Sequence, residues 1–182
     1  NGQSYTWEVG GYNYNGTTGN SLNEGSLTLY SDTVGEYRLA VAKTTGNLLV
    51  GVQSDNGTDK LQLNGSIQFA DAQLATRVSV INNVSSNVID TFSANLYRTA
   101  KYLIQITQGV GIGATFHAVE IVVLWDNAGN VYKSEYGIIT TGGEKGTFDV
   151  DYNVGNNGLV RLLFTPTVAG TTVKVLRQSI SI

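Results

Sequence analysis

The chain has 182 residues, among them 22 glycines, one proline and no cysteine, and a formal charge of −3. That excludes disulfide staples, thiolate catalysis and Cys-ligated metals. Lys and Arg are scattered singly, so no basic stripe marks a nucleic-acid partner, and no apolar run is long enough to insert in a membrane as a spanning helix. No segment has the charged, apolar and small-residue order of a signal peptide. Lacking methionine and opening on Asn1, the sequence is expected to be a processed product, a part of a longer polypeptide or an engineered fragment. With 41% hydrophobic residues it can bury a core, and its Gly, Asn and Thr content predicts an all-β chain with many turns.

YTWEV (5–9) alternates, with Tyr5, Trp7 and Val9 on one side. GGYNYNGTTGNSLN (10–23) is turn chemistry that carries Tyr12 and Tyr14. SLTLYS (26–31) alternates again, with Leu27 and Leu29 on one face, and YRLAV (37–41) follows. In GNLLVGVQSDNGTDKLQLNGSI (46–67), two short apolar runs, Leu48 to Val50 and Leu61 to Leu63, are separated by glycines, asparagines and aspartates. Glycine and asparagine tolerate positive φ, and Asx side chains close turns on their own backbone, so this is a strand, a turn, a strand and a turn. Residues 68–86 fit two patterns. FADAQLATRV would make two helical turns with Phe69, Leu74 and Val78 inward, whereas Val78 and Val80 alternate as in a strand. The expectation is a short connector, with a helical option, leading into a strand.

From about residue 87 the strands lengthen. Candidates are VIDTFSANL (88–96), YLIQIT (102–107), TFHAVEIVVLW (115–125), VYKSEYGII (131–139), GTFDVDY (146–152), LVRLLFT (159–165) and TTVKVLRQ (171–178). DNAGN (126–130) is a hairpin turn between the third and fourth of these. The predicted division is a short-stranded, fibre-like region over 1–86 and a C-terminal β-sandwich over 87–182, about 95 residues and so of normal size for that architecture.

Candidate chemistry is sparse. His117 is the single histidine and shares a strand face with Val119, Ile121 and Val123, a core position rather than a ligand. Glu120, Asp126 and Glu135 flank the hairpin, and Asp149 and Asp151 share a strand face, the raw material of a two-carboxylate glycosidase or a Ca²⁺ site. Asp55 and Asp59 are a further pair for Ca²⁺. Carboxylates on a strand face are ordinarily solvated, so no catalytic residue, cofactor or metal is expected. Aromatic rings beside Asn and Asp suit sugar binding by stacking and hydrogen bonding. The candidate glycan contacts are Tyr12 and Tyr14 in their loop, and Trp125, Asp126, Asn127, Asn130 and Tyr132 at the hairpin. The competing reading makes Trp125 and Tyr132 cross-strand partners that cover the sandwich end.

SLTLYSDTVGEYRLAV (26–41) followed by GNLLVGVQSDNGTDKLQLNGSI resembles paired phrases of bacteriophage tail fibres and tail spikes. The stretches DTFSANLYRTAKYLIQIT (90–107), VEIVVLWD (119–126), SEYG (134–137), VRLLFTP (160–166) and VKVLR (173–177) resemble virion structural proteins of marine phages and cyanophages. In many fibres the LQLNGS-like phrase leads into a self-cleaving chaperone with a serine nucleophile; that domain is not visible in this sequence. The resemblance implies a homotrimer wound about one axis, exposed on the virion after assembly in a bacterial cytoplasm. It would not be an enzyme, and its partners would be its own copies, other virion proteins and host surface glycans. In that arrangement Leu27/Leu29, Leu39/Val41, Leu48/Val50 and Leu61/Leu63 would bury between chains. Alternatives are a single extended sandwich with long loops, a capsid decoration protein, and a carbohydrate-binding module or depolymerase.

Overall fold

The computed structural model describes residues 10–11, 27–31, 36–42, 44–52, 54–155 and 158–182. Tyr12, Tyr14 and the alternating 5–9 segment lie outside the described residues. The chain is all-β, as expected. Among the described residues there is no α-helix, only a 3-10 turn at Gly111–Gly113, and no helix long and apolar enough to cross a membrane. Two compact units divide between Gly65 and Ser66.

The first unit holds one five-stranded sheet. Its strands β1 (Gly10–Gly11), β2 (Leu27–Ser31), β3 (Glu36–Val41), β4 (Leu48–Val50) and β5 (Leu61–Leu63) lie side by side in chain order. All pairs are antiparallel except β4 with β5, which run parallel. A parallel neighbour cannot be reached by a tight hairpin, so residues 51–60 must carry the chain back along the strand. One face of this sheet buries Ala40 and Leu49, and Ala42 and Val52 complete that small cluster.

The second unit is a two-sheet sandwich. Its larger sheet has β6 (Ile67–Gln68), β7 (Ala72–Ile81), β9 (Tyr97–Gln108), β10 (Thr115–Trp125), β11 (Val131–Thr140) and β14 (Thr171–Ser181) in the order β11-β10-β9-β14-β7-β6. The smaller sheet has β8 (Asn87–Ser93), β12 (Gly146–Asn153) and β13 (Leu159–Pro166) in the order β12-β13-β8. Strict alternation builds the core. Val119, Ile121 and Val123 of β10, Tyr102, Ile104 and Ile106 of β9, and Val173 and Val175 of β14 face Phe92, Phe148, Leu162 and Phe164 of the smaller sheet. All seven predicted C-terminal strands form.

Two boundaries differ from the sequence reading. The unit boundary falls at 65/66 instead of 86/87, because β7 pairs with β14 along its whole length and so belongs to the sandwich. The 68–86 connector is also a strand from Ala72 onward, without helical turns. Thr76, Val78 and Val80 are β-branched, and the unpaired edge of β14 supplies a ladder that a two-turn helix could not match. Consequently Phe69 and Val78, inward on a helix, are exposed here.

Candidate functional site

The first unit's sheet places its aliphatic residues in two cross-strand rows. Leu27 pairs with Val41, Val41 with Leu48 and Leu48 with Leu61; Leu29 pairs with Leu39, Leu39 with Val50 and Val50 with Leu63. Alternation puts the described side chains of both rows, Leu29, Leu39, Val41, Leu48, Val50, Leu61 and Leu63, on one face, opposite Ala40, Leu49 and Gln62. No described side chain of these rows is fully buried, and Val50, Leu61 and Leu63 are exposed, Leu61 by 52%. The buried face carries Leu49 among small or polar residues, while most of the sheet's aliphatics lie on the other face, half-buried or exposed.

Asp55 ties the crossover loop that makes the parallel pair possible. Its Oδ1 accepts from Asn47 Nδ2 at 3.0 Å, from the Gly57 amide at 2.9 Å and from Gln62 Nε2 at 2.5 Å, and its Oδ2 accepts from the Thr45 hydroxyl. The Asn56 amide donates to Gln62 Oε1 at 3.0 Å, so Gln62 is pinned at both ends of its amide. The Asn47 bond, then those of Thr45 and Gly57, hold the Asp55 carboxyl far below the usual carboxylate range. The Thr45, Asn47, Asp55, Gly57 and Gln62 pattern thus has a structural job, with both Asp55 oxygens accepting from protein donors.

At the β10–β11 hairpin, Asp126 organises the turn. Oδ1 accepts from the amides of Ala128 at 2.8 Å and Asn130 at 3.0 Å, and Oδ2 accepts from Asn130 Nδ2 at 2.8 Å and the Tyr132 hydroxyl at 3.3 Å. The Asn130 side chain is the main cause of the lowered Asp126 carboxyl. Asn127 takes the left-handed backbone at φ 68°, a conformation Asn accepts better than most residues. Trp125 pairs with Val131 and Tyr132 with Leu124, so Trp125 and Tyr132 are not cross-strand partners and point to opposite faces. Trp125 is 8% exposed, with its ring 5.5 Å from Tyr152 and Arg98 5.1 Å above it. Tyr132 is 55% exposed on the sheet's outer face. Of the predicted contacts, the structure brings Asp126, Asn127, Asn130 and Tyr132 together at an exposed turn and sends the Trp125 ring inward.

The remaining carboxylates each have their own partner. Glu120 meets Lys101 at 2.9 Å, Glu135 meets Lys133, and Asp151 accepts from Arg161 Nε at 2.6 Å and from its Nη2. The Lys101 bond is the main cause lowering the Glu120 carboxyl, and the Asp151 bond raises the Arg161 guanidinium. Asp149 accepts from the amide of Val150. Among the described residues, no group of three or more His, Asp or Glu is placed to hold a metal ion. His117 is buried, its Nδ1 accepting from the Lys145 amide at 3.3 Å and its ring edge-on to Phe148. One polar group went unnoticed in the sequence: Arg177 of β14 reaches Asp90 of β8 inside the core. Its signal was available, since Arg177 shares alternation parity with Val173 and Val175.

No family model matches the chain, and no curated protein matches it. Among solved structures, it is similar to the tailspike protein of Acinetobacter baumannii phage AM24, at 11% identity and a TM-score of 0.33, over 60% of this chain and 26% of that one. It is also similar to the tailspike protein of Acinetobacter phage vB_ApiP_P1, at 13% identity and a TM-score of 0.34, over 72% of this chain and 26% of that one. The chain spans about a quarter of the length of the tailspikes it matches. Both are phage tail proteins, the kind of protein the sequence resemblance named, but at this identity neither transfers an activity or a site. The expectation that the chain is not an enzyme is corrected here: its structural neighbours are tailspikes, and the chain is not placed in a non-enzymatic class.

Proposed function

We propose that the chain is part of a bacteriophage tail appendage of the fibre or spike kind, working as a homotrimer that attaches to the host surface. The observation that carries this reading is the aliphatic face of the first sheet, with Val50, Leu61 and Leu63 exposed while the opposite face buries only small or polar residues beside Leu49. Apolar burial contributes roughly 25 cal/mol per Å², and a sheet that leaves its aliphatic rows open within one chain gains that term between chains. Three copies turning these rows toward a common axis close the face and hide strand edges. The phrase resemblance of residues 26–67 supports the same assembly.

The second unit supplies the outward contact in this reading. Asn127, Asn130 and Tyr132 are exposed at a turn held rigid by Asp126, which limits the entropy lost on binding a sugar. Tyr12 and Tyr14 are the further candidates. Three weak contacts on one particle act through effective concentration, so each need not be tight.

The test is the mass of the full chain by light scattering after size exclusion, across dilution, followed by pull-down on bacterial surface polysaccharide. A mass of three chains that persists on dilution, with glycan retention lost in Tyr132→Ala, is the expected result. A folded single chain at every concentration removes the axial burial and with it this reading.

A further inference from the structure

The larger sheet of the second unit has an uncovered face. The smaller sheet packs on the side of His117, Val119, Ile121 and Val123, and their alternates point away from it. Register places these alternates in rows that cross five strands. One row runs Tyr136, Glu120, Leu103, Leu176 and Thr76, and its neighbour toward the 3-10 turn runs Ile139, Ala118, Gln105, Lys174 and Val78. Leu103 is 50% exposed, Val78 62% and Val80 63%, with Phe116, Leu124 and Ile180 also exposed on this side. At the opposite end the face sinks into a groove of about 540 Å³ between Phe69, Leu74, Val122 and Ile180. Charge is scarce. Lys101 and Glu120 neutralise each other at 2.9 Å, leaving Lys174 as the one further charge in the five-strand rows.

We infer that this outer face is a subunit interface, buried against another copy of the same chain. The inference deepens the appendage reading and rests on it for the number of copies. Two arguments favour a copy as the occupant. The first is size: five strands at about 4.8 Å spacing and ten residues at about 3.3 Å rise give a face on the order of 800 Å², close to one partner's share of a standard stable interface. The second is electrostatic. A surface that meets its own copies must not repel itself, and the Lys101–Glu120 pair leaves this one nearly neutral. Single exposed aliphatics need no explanation, but Leu103, Val78, Val80, Phe116, Leu124 and Ile180 exposed together on one sheet face mark an interaction site.

The chain contains no cysteine, so Leu103→Cys introduces a unique thiol at the centre of the face without disturbing the core. The full-length variant is labelled with a maleimide across a dilution series, and its mass is followed in parallel. The expected result is labelling slowed by about tenfold or more while the chain is multimeric, and restored when dilution or mild denaturant separates the copies. Rapid labelling of the multimer overturns the inference, as does slow labelling of a chain whose mass is that of one copy, since the chain itself would then cover the face. Leu61→Cys, treated identically, reads the first unit's face. Protection there with free labelling at position 103 sinks this inference alone and leaves the appendage reading standing. Free labelling at both positions of a single-copy chain sinks both.

Discussion

Arg177 of β14 donates from Nη1 to Asp90 Oδ2 of β8 at 2.7 Å, an ion pair that joins the two sheets through their shared core. Their side chains are 8% and 10% exposed. Arg177 also donates to the carbonyl of Thr91 and, from Nη2, to Gln73 Oε1 at 2.7 Å. The phenol of Tyr102 is pushed above its ordinary value, by burial first and then by the charge of Asp90. A flat stack of aliphatics can slide by one residue; a buried charged pair fixes which residue of β14 sits over which residue of β8.

The first prediction follows from that pair. Arg177→Met leaves a buried carboxylate without its cation and should cost about 3–5 kcal/mol in unfolding free energy. Replacing both partners, as Arg177→Met with Asp90→Leu, should recover most of the loss, because an apolar pair of similar volume no longer has a charge to desolvate. Urea unfolding of Arg177→Met, Asp90→Leu and the double variant closes the cycle. A single substitution costing less than about 1 kcal/mol would mean the pair behaves like an exposed one.

Gly146 opens β12 where no side chain fits. A Cβ there would lie 2.3 Å from the Thr165 carbonyl and 2.5 Å from the ring of Phe164, which is wholly buried. The carbonyl belongs to the sheet ladder and the ring to the core, so neither can give way. Gly146→Ala is predicted to destabilise the second unit by about 3 kcal/mol, the upper end for overpacking. Gly143 has open space around the same Cβ position, so Gly143→Ala should cost far less, chiefly through its φ of 83°. Thermal melts of the two variants decide it, and equal losses would remove the steric argument.

How much of this was legible in the sequence depended on period. Along 115–125 period 2 groups His117 with Val119, Ile121 and Val123, but Phe116, Ala118, Val122 and Leu124 make the other face apolar as well, and it is the packing of the smaller sheet that decides which face of β10 is buried. The pairs Leu27/Leu29, Leu39/Val41, Leu48/Val50 and Leu61/Leu63 could also be assigned to one face from their two-residue spacing, with Leu49 falling on the other. Residues 72–81 were harder: Leu74 and Val78 stand four apart, which suits a helix as well as a strand, and the edge of β14 that decides between them lies a hundred residues away in the chain. Trp125 and Tyr132 looked like partners because the length of a hairpin turn does not give its register; the ladder pairs Trp125 with Val131. Asp55 reads as a turn aspartate or one of a Ca²⁺ pair, and its bonds to Thr45, Asn47 and Gln62 go with the parallel β4–β5 pairing, for which no local signal exists.

Acid should weaken the second unit through His117. The Lys145 amide donates to Nδ1, so the neutral ring carries its proton on Nε2, and a second proton would have to enter at the nitrogen already facing a donor. Burial lowers the folded pKa below the ordinary value; Glu144 and Glu135 oppose the shift and Lys145 adds to it. With the folded value depressed, the unfolded chain binds the proton first. The His117 contribution is therefore complete above roughly pH 6.5 and falls away as pH drops through that value. The difference in stability between the native chain and His117→Leu should narrow between about pH 7 and pH 5. A difference that stays constant in acid would show that the fold does not depress the ring's pKa, and one that widens would show that it favours the protonated ring.

The Asp55 knot makes a prediction of the same sign for the first unit, in a lower pH range. Its carboxyl is held ionised by donors from Asn47, Thr45, Gly57 and Gln62, so its folded pKa lies below that of the unfolded chain. Such a group contributes fully above the ordinary carboxylate range, and its contribution is lost progressively as pH falls from there through the depressed folded value, while the native carboxyl itself stays ionised until that value is reached. The loop should therefore remain tied near pH 4, where ordinary carboxylates take up protons. Asp55→Asn keeps the shape but removes the charge: its oxygen can still accept from Asn47, Gln62 and the Gly57 amide, its NH2 meets the Thr45 hydroxyl, and each bond loses the assistance of an ionised acceptor. Hydrogen exchange by mass spectrometry should then show faster exchange across 54–63, with the peptides of 97–125 unchanged because they belong to the other unit. Asp59→Asn is the control, since Asp59 accepts only from Asn56 Nδ2 at 2.8 Å on the exposed side of the turn. If Asp55→Asn exchanges no faster than Asp59→Asn, the loop is held by its glycines alone, and the knot is a consequence of the parallel pair rather than its cause.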